Sequence, residues 1–132
     1  MVDFIEHTPR PRAAIAQAAR ILAPGGVLAL VTPDIHSLAG RLAGSKWWHL
    51  RPGHLAYFSA GSLEALLRPA GFTIVRRRRY AWTFSAHYLL SRIRVLRFLV
   101  RGRRAALFFR RIPIKLALGD SFELYARKDG RG

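Results

Sequence analysis

The sequence predicts an α/β fold. Three observations carry that reading. Helix-like and strand-like stretches alternate along the chain. One strand-like run, "VLALV" at 27–31, is apolar throughout, as in a strand covered on both faces. The last such run, "SFELYARK" at 121–128, alternates apolar and polar residues, as in a half-covered strand.

Each element follows in order. "MVDFI" at the start reads as the tail of a buried strand. Asp3, Glu6 and His7, followed by two prolines, read as the active-site type of loop that follows one. Residues 12–23 are alanine-rich, with Ile15, Ala19 and Leu22 on one face, which predicts a helix. Pro9 or Pro11 suits its first turn, and "PGG" at 24–26 stops it. Residues 27–31 form a strand that "TPD" closes at 32–34. Residues 35–43 suit a short helix, and "GSKWWHLRPGH" is a loop holding Trp47, Trp48, His49 and His54. Those aromatics suit either a pocket wall or a cover for the sheet edge. Ser59 is an N-cap for a helix over 60–70 with Leu63, Leu66 and Leu67 inward, and Gly71 ends it. "FTIV" begins a strand at 72 that Arg76–Arg79 extend outward, and 121–128 can pair with it antiparallel. Residues 80–118 then form an insertion between these two strands. The expected organisation is one domain over 1–128, including the 80–118 insert, and a tail at 129–132.

Composition restricts function. The 132 residues suit one small domain, and 51% apolar residues can build a core. No cysteine is present, which excludes disulfides, thiol catalysis and Cys-based zinc sites. No apolar run is long enough to span a bilayer, and no signal peptide is visible, so a cytoplasmic location, or one peripheral to a membrane, is expected. The net charge is +16, unevenly distributed. Residues 76–115 hold 13 basic and no acidic side chains, whereas 1–75 carry a net +3 and 116–132 none. The charge therefore belongs to the insert and not to the fold.

The ordered segments "DFIEHTPRPRAAIAQAARILAPGGVLALVTPD" and "HLAYFSAGSLEALLRPAGFTIV" resemble the C-terminal half of a class I S-adenosylmethionine-dependent methyltransferase. The group resembled carries an EH…P turn, an LxPGG turn before a buried strand, and an H…FS…AGF segment. The resemblance covers residues 3–75, and 119–128 is similar to the family's last strand. It implies a partial Rossmann-like methyltransferase sheet, strand four's end to strand seven. "MVDFI" would end strand four, 27–31 would be strand five, and 72–79 and 121–127 strands six and seven, the last antiparallel and beside the sixth. It also implies S-adenosylmethionine as cofactor. The family's Gly-rich turn after strand one and the acidic residue ending strand two are absent from these residues, so the chain is expected to be truncated and inactive alone.

The resemblance gives the polar residues candidate roles. His7, past a strand's carboxyl end, stands where a base for methyl transfer would. Glu6 would orient it or cap the next helix; alternatively the pair only stitches strand to helix. Some relatives use the Glu-His pair for a divalent metal; no further ligand is evident nearby in sequence, although His54 could approach in space, and no metal is expected. Asp3 would face the cofactor methionine, or be a surface residue. His54 would contact the acceptor, or bond to backbone at the start of the last helix. Tyr57 and Phe58 are expected in the core. The acceptor would be an unidentified small or lipid-like molecule.

The insert suggests something else. On a helical wheel, 85–101 places Leu89, Ile93, Leu96 and Val100 in one stripe and Arg94, Arg97 and Arg101 on another face. Peripheral contact with anionic membrane through 85–115 would satisfy both, as would a lid helix with snorkelling arginines. A non-catalytic fragment whose insert binds membrane or a protein is therefore the rival to methyl transfer. Nucleic acid is the less favoured partner, because the arginines are interleaved with Leu, Ile, Val and Phe.

Overall fold

The computed structural model of the chain describes residues 1–130. Its strands are β1 (Val27–Pro33), β2 (Phe72–Arg79), β3 (Trp82–Ser85), β4 (Pro113–Leu116) and β5 (Ser121–Lys128). Its α-helices are α1 (Pro11–Ile21), α2 (Leu38–Ala43), α3 (Ala60–Leu67), α4 (Ala86–Arg92) and α5 (Arg103–Arg110). The chain divides into two compact units, one from residues 1–80 with the stretch from 118 on, the other from 81–117.

The first unit is built on a three-stranded sheet in the order β1-β5-β2, with β5 antiparallel to both neighbours. The register sets Leu30 opposite Leu124 and Leu28 opposite Ala126, so alternate residues of β1 and β5 share the core face. Ile5, Ile15, Leu63 and Leu67 are fully buried against that face. Pro11 opens α1, where its missing N–H is not needed, and α1 turns Ile15 and Ala18 inward. Ser59 and Ser62 form a reciprocal capping box at the start of α3. A 3-10 turn over Arg68–Ala70 follows, closed by Gly71 at φ +78°, a conformation that Gly adopts without a Cβ clash.

The N-terminal strand end is shorter than the pattern suggests. Val2 makes a single parallel bridge to Val31, with Val31 N–H donating to the Met1 carbonyl at 2.9 Å. Asp3 then turns at φ +46° and the chain enters a 3-10 turn over Ile5–His7. Even so, the bridge sets the sheet order as N-terminal stub, β1, β5, β2, with the last strand antiparallel beside the one expected as the sixth. A bulge between Ile74 and Arg76 interrupts β2. Beyond it Arg76–Arg79 are exposed on the strand that, among the described residues, pairs only with β5. Cations on such an edge discourage pairing with another chain. The end of the body reaches past β5: the Asp129 amide donates to the Gly71 carbonyl at 2.9 Å and its carboxylate accepts from the Thr73 hydroxyl at 2.7 Å. The rest of the expected tail, residues 131–132, lies outside the described residues.

The second unit departs from a single amphipathic helix over 85–101. Ser85 caps α4, which stops at Arg92, and Ile93 is extended. A 3-10 turn at Arg97–Val100 and then α5 follow. A continuous helix would place Arg94, Arg97 and Arg101 three and four residues apart, where like charges repel. β3 and β4 close the unit as a two-stranded antiparallel ribbon, Trp82 opposite Leu116 and Ser85 opposite Pro113. The insert is therefore helical, with a β-ribbon formed by its two ends in the chain.

Candidate active site

The chemistry-bearing residues of the first unit meet where the Ile5–His7 turn receives the loop before α3. The Glu6 carbonyl accepts two backbone N–H groups from that loop, from Leu55 at 2.8 Å and Ala56 at 3.1 Å. His54, next to Leu55, is thereby carried onto His7, and their rings meet edge-on with centroids 4.6 Å apart. The His7 ring is exposed, but its Nδ1 lies 2.6 Å from the Gly53 carbonyl oxygen. A carbonyl only accepts, so Nδ1 carries the proton and donates. The neutral ring then has its lone pair on Nε2.

Glu6 makes no side-chain hydrogen bond to His7 among the described residues. Its carboxylate is buried, and neither oxygen has a hydrogen-bond partner among the described residues. Burial raises its pKa above the ordinary carboxylate value, the negative charge of Asp3 adds to the rise, and nearby backbone and the Thr32 hydroxyl oppose it. The hydrogen bond of the His7 ring goes to the Gly53 carbonyl. His54 is buried with Nδ1 unpartnered. Burial, followed by the neighbouring His7, Arg51 and His49, lowers its pKa, which favours the neutral ring. Asp3 is exposed beside this cluster.

Glu6, His7 and His54 each offer one ligand atom, all within 4.8 Å of one another. Two imidazoles and a carboxylate suit a divalent transition ion, and the orphaned Glu6 oxygens fit one. The third ligand that sequence spacing did not reveal is His54, brought in by the loop.

A second buried group went unrecognised in the sequence. Asp120, 1% exposed at the start of β5, accepts from the Trp48 indole N–H at 2.8 Å and from His49 Nε2–H at 2.9 Å. Burial would raise Asp120, but the bonds from His49, Trp48 and its own backbone outweigh it and hold the carboxyl below its ordinary value. His49 stacks at 6.0 Å from His54, which joins the two groups. The one signal for Asp120 was a Gly-Asp pair just before an alternating strand.

Of the aromatics, Trp47 and Phe58 are buried, Tyr57 is half-buried and Trp48 is largely exposed. Trp47 packs so closely on α2 that a Cβ at Gly40 would come within 3.3 Å of its ring. Trp47 is thus packed against α2, and the Trp48 indole N–H secures Asp120. A cavity of about 370 Å³ opens between the loop after β1 and the ends of β2 and β5, lined in part by Asp34, His36, Arg77 and Arg79. None of Glu6, His7 and His54 lines it.

Asp3 is an exposed carboxylate at a strand end, suited to accept from an ammonium group, whereas the Gly-rich turn and the ribose-binding acid are not among these 132 residues.

A family model described as a methyltransferase domain matches residues 1–77. No curated protein matches the chain. Among solved structures, a SAM-dependent methyltransferase from Thermotoga maritima is 21% identical with a TM-score of 0.56, the match covering 98% of this chain and 54% of that one. An S-adenosylmethionine dependent methyltransferase from Mesorhizobium loti is 12% identical with a TM-score of 0.53, covering 96% and 59%. The cyclase SpnF is 23% identical with a TM-score of 0.53, covering 97% and 48%. The chain thus spans about half the length of the structures it matches. These likenesses establish the partial Rossmann-like sheet, and the cyclase shows that the sheet does not by itself fix the reaction.

Proposed function

Because the chain belongs to the methyltransferase-domain family, we propose that it supplies the acceptor-facing half of an S-adenosylmethionine-dependent methyl transfer to a small or lipid-like acceptor, with His7 as the base. The observation that carries this reading is the bond from His7 Nδ1 to the Gly53 carbonyl, because it leaves Nε2 bare on an exposed ring just past the N-terminal strand stub. S-adenosylmethionine, when bound, supplies an electrophilic methyl group on a sulfonium. His7 Nε2 takes the proton that the acceptor atom gives up as it gains the methyl, and the Gly53 carbonyl stabilises the imidazolium that results. Asp3 holds the cofactor's edge, and His54, uncharged and buried, packs edge-on against the His7 ring and backs it. The cofactor's Gly-rich turn would come from strands outside these residues, so the chain alone would bind the cofactor weakly.

The test is the transfer of label from S-adenosylmethionine tritiated at the methyl group into extractable small molecules, using the natural polypeptide that carries this sequence. His7→Ala should lower the rate by about a hundredfold or more, the usual contribution of a general base. A rate within a few-fold of wild type across the pH range would sink the assignment.

The Glu6–His7–His54 cluster favours a second reading, in which these residues hold a divalent ion. Such an ion would supply Lewis-acid polarisation of an acceptor oxygen. Both readings use the same His7 lone pair, so they exclude one another. Isothermal titration of the 132-residue chain with Zn²⁺ distinguishes them: stoichiometric binding lost in His54→Ala supports the ion, and no binding supports the base.

A further inference from the structure

We propose that the exposed apolar and cationic surface of the second unit, residues 86–112, docks on an anionic lipid bilayer. The inference rests on this unit alone and stands whether or not methyl transfer is correct. Its first support is apolar surface that the unit does not bury. Val95 is 74% exposed, Phe108 63%, Phe98 62% and Leu107 52%. A unit of 37 residues has too little interior for so many large apolar groups, and a patch of this kind on a cationic surface marks an interaction site.

The second support is charge. Residues 81–117 carry nine basic side chains and no acidic one. Every exposed apolar residue named above has an arginine within three positions in the chain. In α5 the half-buried residues are Ala105, Ala106 and Phe109, so the unit's interior takes one face. The other face presents Leu107 and Phe108 among Arg103, Arg104 and Arg110. Arg92 lies over the Tyr88 ring, 5.1 Å from its centroid, which orders the cation next to an amphipathic aromatic. Apolar groups that enter the acyl boundary while guanidinium groups stay at phosphate level use both features at once. Among the described residues no helix is long and apolar enough to cross a membrane, so the unit would lie on the surface.

A nucleic acid offers the same phosphate charge but leaves Ile93, Val95, Leu99 and Leu107 without apolar cover, because aliphatic groups stack poorly on bases. That is why the lipid surface is the better match.

Flotation of the full chain with vesicles tests the proposal. The chain should float with vesicles of phosphatidylcholine and phosphatidylserine and not with phosphatidylcholine alone. Raising salt from about 0.1 M to about 1 M, which shortens the screening length from roughly 10 Å to 3 Å, should weaken binding without abolishing the apolar part. Reversing Arg94 and Arg97 to Glu should lower partitioning by about tenfold or more. The pair Phe98→Ser and Phe108→Ser, both at exposed positions, should lower it by a similar factor at unchanged charge. Absence of flotation overturns the proposal, as does equal flotation with uncharged vesicles. So does a double serine variant that binds like wild type, or a DNA duplex that binds the chain and strips it from the vesicles.

Discussion

Removing the Asp120 carboxylate should cost the chain a large part of its stability. In Asp120→Ala, two charge-assisted bonds disappear, from Trp48 at 2.8 Å and His49 at 2.9 Å. They are not equivalent. Trp48 is 47% exposed, so its indole N–H finds water and its loss counts little. His49 is 6% exposed, and its Nε2–H is left buried without an acceptor. An orphaned buried donor costs about 1–3 kcal/mol, and loss of the charge-assisted bond brings the expected total to about 3 kcal/mol. Urea unfolding of the chain at pH 7 reads this directly, and a fall in Tm of roughly 10 °C should accompany it. Asp120→Asn, which keeps an acceptor oxygen but no charge, should lose about half as much. The pH dependence gives an independent check. The folded pKa of Asp120 is depressed, so its contribution is full above the unfolded aspartate value near ~3.9 and disappears as pH falls through the folded value. Wild type and Asp120→Asn should therefore stay apart down to about pH 4 and draw together only as the pH falls further. A loss under about 0.5 kcal/mol at pH 7, the range of an ordinary surface substitution, would refute the argument.

Two further substitutions have defined signs. The folded pKa of Glu6 is raised, so wild-type stability should decline as pH rises from the unfolded glutamate value near ~4.3 through the folded one. Glu6→Gln removes the buried charge and should gain about 1–2 kcal/mol at pH 7 and little near pH 4 in the same unfolding assay; an equal loss at both would contradict the placement of the carboxylate. Ser59→Ala breaks the capping box of α3 and should cost about 1 kcal/mol, with no change at the acid end of the range. A neutral result would mean that the box is not formed in solution.

Much of the fold was legible because local patterns determine it. The alternation in 121–128 and the apolar run at 27–31 are local signals, and so are Pro11, Ser59 and Gly71 at helix ends. The antiparallel pairing of the last strand with the sixth followed from the resemblance and is found between β5 and β2. What local patterns miss is pairing across long separations. The ribbon joins residues about thirty positions apart, and the wheel drawn on 85–101 carries no record of it. That wheel also ignored the repulsion among Arg94, Arg97 and Arg101, which opposes a continuous helix. The same limit applies to the site. His7 was visible from its place after a strand, but its orientation comes from the Gly53 carbonyl, 46 residues away. Asp120 and His49, 71 residues apart, left no joint trace in the sequence.

The central claim is that Gly53 holds His7 with its proton on Nδ1, leaving Nε2 free to act as a base. Long-range ¹⁵N–¹H correlation of the labelled chain at alkaline pH reports which ring nitrogen carries the proton. The geometry predicts that neutral His7 is the Nδ1–H form, and that a change at Gly53 which displaces its carbonyl releases it to the mixture of an unconstrained histidine. A neutral His7 found with its proton on Nε2 would contradict the account, because the lone pair would then point at Gly53 and no base would face the acceptor.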